Sequence, residues 1–169
     1  MGYDPLRVSD EQFTTSSVIS ELHPNTTPYT RLELALETRK IKIYTPSMNA
    51  LLEIENTSRK VGDFIVLSRA DKDVLATTLD LARSGFSPKL VSDDYAVQNV
   101  AEFLGLKYIS LTTFGIRYRF RWILYCPACK RKYAPDISQA MDCSVCGTPL
   151  KRKVLRKQAV KGKDEKDTT

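Results

Sequence analysis

Residues Lys89-Leu90-Val91-Ser92-Asp93-Asp94-Tyr95-Ala96-Val97-Gln98-Asn99-Val100-Ala101 decide the fold. The first four read as a short strand, and Asp93-Asp94 as a turn. Val97, Val100, Ala101 and Leu104 then recur at helical spacing. Gly105 ends that helix, and Lys107-Tyr108-Ile109 begins another strand.

The same alternation runs toward the N-terminus. Gln12 to Thr15 has strand character, and Ser16-Ser17 offers a cap before Val18, Ile19 and Leu22. Helical spacing resumes at Leu32, Leu34 and Leu36, and Ile41 to Tyr44 alternates as a strand. Pro46 opens a helix carrying Met48, Leu51, Leu52 and Ile54. Ser68 caps the next one, with Val74, Leu75, Leu79 and Leu81-Ala82 on its apolar face. Alternating βα units predict an α/β fold, a parallel sheet flanked by helices. In such sheets the active site lies beyond the carboxyl ends of the strands.

A second module follows Thr112-Thr113-Phe114-Gly115. Ile116 to Cys126 reads as a strand in which Arg117, Arg119 and Arg121 alternate with Tyr118, Phe120 and Trp122. Period two assigns arginines to one face and aromatics to the other. Cys126-x-x-Cys129 and Cys143-x-x-Cys146 are two knuckles whose four thiolates suit a closed tetrahedral Zn²⁺ site, structural rather than catalytic. Two disulfides and a redox dithiol are the competing readings. Paired C-x-x-C spacing is poor disulfide geometry, and a redox dithiol needs only one knuckle. Gly147 supplies the backbone angles the second knuckle requires.

The formal charge of +6 divides unevenly. Met1 to Gly115 holds 12 Lys and Arg against 15 Asp and Glu, whereas the remainder holds 14 against 5. The basic module suits a polyanion. Its candidate RNA contacts are Arg117, Arg119, Arg121, Lys130, Arg131, Lys132, Lys151, Arg152 and Lys153. The last residues alternate in sign and predict a disordered tail from 156 to 169. No apolar run is long enough for a membrane span, and no signal peptide or nucleotide-binding fingerprint is visible. With free thiols, this predicts a cytoplasmic protein.

The acids that a strand-end site would gather are Glu21, Asp71 and the Asp93-Asp94 pair. Carboxylate oxygens of this kind hold Mg²⁺ or Mn²⁺ in phosphoryl hydrolysis. Singly, each has an ordinary explanation, because Asp71 and Asp94 also suit helix N-termini and Glu21 an exposed helix position.

Leu67-Ser68-Arg69-Ala70-Asp71-Lys72-Asp73-Val74-Leu75-Ala76, then Ser92-Asp93-Asp94-Tyr95-x-x-Gln98-Asn99-Val100, resembles the PIN-domain nucleases. With the Cys146-Gly147-x-Pro149-Leu150 ending, the chain looks more narrowly like the Nob-type (Nin-one-binding) endoribonucleases. These join a PIN domain to a zinc ribbon. The resemblance implies a PIN-like domain over 1–113, a ribbon over 116–155, and maturation of the 3′ end of small-subunit precursor rRNA within a pre-ribosomal particle. By position, Glu21, Asp71 and Asp94 match the family's metal-binding acids and Asp93 is the adjacent one. Asp73 is not carried over. The family's first strand, ending in a catalytic aspartate, would precede Gly2-Tyr3-Asp4-Pro5. The expectation is therefore a reading frame that extends upstream of Met1, and poor cleavage by these 169 residues alone. The competing class is a non-catalytic RNA-binding adaptor built on the ribbon and a degenerate PIN scaffold.

Overall fold

Helix α4, Arg69–Arg83, shows how local sequence sets the framework. Ser68 Oγ accepts the Asp71 N–H at 3.1 Å, and Asp71 Oδ2 accepts the Ser68 N–H at 2.8 Å. This reciprocal capping box satisfies two otherwise orphaned donors. The buried residues Ala70, Leu75, Leu79 and Leu81 then line its inner face.

The computed structural model describes residues 4–111, 115–135 and 142–160. After a 3₁₀ turn at Pro5–Arg7 come β1 (Gln12–Thr14), α1 (Ser16–Glu21), α2 (Thr27–Glu37), β2 (Ile41–Ile43) and α3 (Met48–Val61). Then follow α4, β3 (Lys89–Val91), α5 (Tyr95–Leu104) and β4 (Lys107–Ile109). The second module is β5 (Tyr118–Tyr125), β6 (Lys132–Tyr133) and β7 (Lys151–Ala159).

The core lies between α3, α4 and α5. Ala50, Ile54, Ser58 and Val61 recur on one face of α3, and Ile54 is fully enclosed, as is Leu75 of α4. Val97 and Val100 of α5, Leu90 of β3 and Tyr108 of β4 complete it. Truncating such a residue to Ala costs about 2–5 kcal/mol, because the cavity closes only in part.

Two βα pairings are parallel, as the alternation predicts, with Phe13 opposite Lys42 and Leu90 opposite Tyr108. They form two separate two-stranded sheets instead of one, and among the described residues no strand joins β1–β2 to β3–β4. The ribbon is a three-stranded antiparallel sheet in the order β6-β5-β7. Its long edge corrects the expected tail. Residues 156–159 continue β7, with Arg156 opposite Arg121 and Ala159 opposite Tyr118. Cross-strand partners on β5 order a segment whose composition alone reads as unfolded. Residues 161–169, also assigned to the tail, lie outside the described residues.

Candidate metal centre and nucleic-acid interface

The four cysteine sulfurs converge, all within 4.8 Å of one another. Cys126 Sγ lies 3.4 Å from Cys146 Sγ, and Cys129 Sγ 3.5 Å from Cys143 Sγ, so neither pair is a disulfide. The knuckles repeat one backbone device. Lys130 N–H donates to the Cys126 carbonyl at 3.0 Å, and Gly147 N–H to the Cys143 carbonyl at 2.8 Å. Both residues have positive φ, 62° at Lys130 and 67° at Gly147. Glycine makes that conformation easy at one knuckle, while lysine accepts its strain at the other.

The donor set fits a thiophilic metal. The Tyr133 hydroxyl lies 2.9 Å from Cys143 Sγ. That hydrogen bond outweighs burial and pulls the Cys143 thiol down to about 6. Cys146 is also held below the usual thiol value, chiefly by the Thr148 hydroxyl and then by the Thr148 backbone. Metal-ready thiolates need such second-layer donors. Tyr133 gave no signal in the sequence beyond its place in a scatter of tyrosines.

The acids behave differently. Asp71 is committed to the α4 capping box through one oxygen. Asp94 caps α5, its Oδ1 accepting the N–H groups of Ala96 at 2.5 Å and Val97 at 3.3 Å. Asp93 accepts from the Ser110 hydroxyl, and from the Leu111 N–H at 2.9 Å. Glu21 is exposed at the end of α1. Among the described residues no three carboxylates lie within one ion's reach of one another. The hard-oxygen chemistry fits Mg²⁺ or Mn²⁺, but the convergence expected from the sequence is not observed.

A cleft of about 330 Å³ does lie at the carboxyl ends of β1 and β2, lined among others by Thr15, Ser17, Tyr44, Arg69 and Asp73. Its acid is Asp73, which accepts the Ser17 hydroxyl at 2.6 Å. The sequence reading set Asp73 aside because it lies two positions past the motif acid.

Gln98 and Asn99 do separate jobs. Gln98 Nε2 donates to the Ser92 carbonyl at 2.7 Å, tying α5 to the turn that carries Asp93 and Asp94. Asn99 Nδ2 donates to Asp63 Oδ2 at 2.5 Å and to the Phe120 carbonyl at 2.9 Å, while its Oδ1 accepts the Phe120 N–H at 2.8 Å. The helix thereby grips β5 of the ribbon. Arg152 of β7 completes the joint, donating to Asp63 Oδ1 at 2.6 Å and lying 4.5 Å over the Trp122 ring. Asp63 is 2% exposed. Burial raises its pKa, although Asn99 and Arg152 both act to lower it. Gly62 has φ 85°, and a Cβ there would come within 2.7 Å of the Trp122 Cβ, so this contact requires glycine.

Arg152 is therefore corrected from a free phosphate contact to half of an internal ion pair. Arg119 is also turned inward, over the Phe103 ring at 5.1 Å and bonded to Gln158 at 3.2 Å. The expected split of β5 is borne out on its aromatic side, with Tyr118, Phe120 and Trp122 in a row at 6.5 and 5.5 Å. Arg117, Arg121, Lys130, Arg131, Lys132, Lys151 and Lys153 remain exposed. Among the described residues no helix is long and apolar enough to cross a membrane.

Comparison with known proteins decides the family. The pattern described as the PIN domain of ribonuclease matches residues 4–81. Endoribonuclease Nob1 of Methanocaldococcus jannaschii is 32% identical over 165 residues, 98% of this chain and 78% of that protein. Endoribonuclease Nob1 of Pyrococcus abyssi is 36% identical over 141 residues, 83% of each chain. The chain belongs to the Nob1 endoribonuclease family.

Ribonuclease VapC1 of Thermoplasma acidophilum also matches, at 33% identity over 137 residues, 81% of this chain and 65% of that protein. Within a Nob1-family chain the structure adds two features that sequence reasoning missed. One is the Asp63–Arg152 pair, whose partners stand 89 residues apart. The other is Asp73 in the strand-end cleft.

Proposed function

We propose that this protein is a metal-dependent endoribonuclease that matures the 3′ end of small-subunit rRNA from its precursor, within a pre-ribosomal particle in the cytoplasm. The similarity to Nob1 endoribonucleases over most of both chains carries the reading. The architecture supports a division of labour between a PIN-like part up to about residue 113 and a basic ribbon from 116 onward. Cys126, Cys129, Cys143 and Cys146 would hold structural Zn²⁺, which in a four-thiolate cage has no open position for chemistry. Glu21, Asp71 and Asp94, with Asp93 beside them, are the acids that would take Mn²⁺ or Mg²⁺. Exposed cations on the ribbon would dock the RNA through its phosphates.

Asp94→Asn, introduced into the native gene, tests the assignment. Asparagine caps a helix about as well as aspartate, so α5 keeps its start and only the charge is lost. Mapping of rRNA 3′ ends should then show accumulation of 3′-extended small-subunit precursor. Unchanged mature ends would favour the non-catalytic adaptor.

A further inference from the structure

We propose that the cavity at the joint between α5 and the ribbon is a nucleobase pocket, taking one unstacked base of the RNA strand between Tyr95 and the Phe120–Trp122 rings. This rests on the endoribonuclease reading and adds to it a place where the strand is held by a base as well as by phosphates. The cavity measures about 230 Å³ and is lined by Asp63, Tyr95, Asn99, Phe120, Trp122 and Arg152, with Ala96 and Ile116. It falls below the roughly 300–1,000 Å³ of sites for drug-sized ligands, as suits a single flat ring system.

The chemistry of its walls selects a neutral aromatic group. Phe120 and Trp122 stand 5.5 Å apart on one side. Tyr95, in the first turn of α5, is 59% exposed. Most of the polar groups are spent on one another, Arg152 and Asn99 both bonding Asp63, while the buried Arg152 Nε has no hydrogen-bond partner. The Arg152 charge is thus compensated, and the cavity is no anion site. Exposed Arg121 and Lys153 directly adjoin Trp122 and Arg152 in their strands, and strand alternation turns them to the opposite face of the sheet. A π-walled pocket opening at the exposed Tyr95 suits an unstacked base of single-stranded RNA.

Its position links it to the acids. Tyr95 directly follows Asp94, the residue that caps α5. A base seated here brings its neighbouring phosphate to the N-terminal end of α5. Stacking tolerates every base, so the pocket senses that a base is present and only weakly which one.

Trp122 is the chain's single tryptophan, so its emission reports occupancy. The 169-residue chain is titrated with a single-stranded RNA octamer and with an abasic octamer of equal charge. The RNA should quench Trp122 emission, and the abasic strand should bind more weakly without quenching. Tyr95→Ala, with unchanged helical signal, should weaken RNA binding roughly 5- to 150-fold, the loss of one stacked base. If RNA binds but neither base removal nor Tyr95→Ala alters affinity or emission, the pocket assignment is overturned while the RNA reading stands. If neither strand binds even at low salt, the RNA reading falls and takes the pocket with it.

Discussion

Arg152→Ala should loosen the joint between the two modules, and its cost follows from the Asp63 pair. Losing one partner of a fully enclosed ion pair costs about 3–5 kcal/mol. Arg152 keeps 26% of its side chain exposed, so solvent screens part of that loss. The figure then falls to about 1.5–3 kcal/mol, that of one hydrogen bond to a charged group. Contact with the Trp122 face adds about 0.5–1 kcal/mol. The sum, about 2–4 kcal/mol, lowers Tm by about 5–15 °C for a chain of this size. Asp63→Asn in the Arg152→Ala background leaves no unpaired carboxylate, so the double variant should lose less than the two singles together. The expected coupling is about 1–3 kcal/mol. Urea unfolding followed by Trp122 emission and by helical circular dichroism measures all four proteins. Additivity within error would refute the claim that this pair joins the modules.

The pH dependence carries a sign. Asp63 binds its proton more tightly folded than unfolded, where the ordinary value is 3.8. Its contribution is therefore fully present below about pH 3.8 and fades as pH rises through the raised folded value. The difference in stability between the unmutated chain and Asp63→Asn should shift in that direction between pH 3 and 7.

Other outcomes follow from the ribbon. Protein purified without chelators should carry one zinc per chain by elemental analysis; Cys143→Ser should release it and unfold the ribbon, while α3, α4 and α5 keep their signal. Tyr133→Phe should retain the metal but release it more readily to a competing chelator, with affinity falling by about 10–100-fold. Replacing Arg117 and Arg121 together by Ala should weaken binding to single-stranded RNA. The slope of log affinity against log salt should flatten by about 1.4, two phosphate contacts at about 0.7 each. An unchanged slope would place the docking surface elsewhere.

Local chemistry was legible in the sequence, and contacts between distant residues were not. Ser68 reads as a cap and Asp71 as a helix N-terminal acid, Asp94 and Gly105 bracket α5, and the cysteine spacing announces a four-sulfur site. Each of these rests on neighbours within one or two turns. β7 stayed hidden because Lys151-Arg152-Lys153-Val154-Leu155-Arg156 has no two-residue alternation, and its order comes from β5. Nothing in the residues around Asp63, next to the Gly62 cap of α3, marks it out. Only the folded chain brings Asn99 and Arg152 to it. The acids illustrate the limit from the other side. Sequence placed Asp71 and Asp94 at helix starts, where they are, yet helix starts alone do not determine how far apart the carboxylates stand.

The proposed function turns on cleavage of RNA by a site that includes Asp94. Its most direct measurement uses protein expressed from the native gene and an RNA spanning the mature 3′ end of small-subunit rRNA, incubated with Mn²⁺, with Mg²⁺ or with a chelator. One internal cut should appear that requires the divalent ion and is lost in Asp94→Asn, with RNA affinity nearly unchanged. Cleavage by Asp94→Asn at the unmutated rate, or cleavage undiminished by the chelator, would contradict the proposed function.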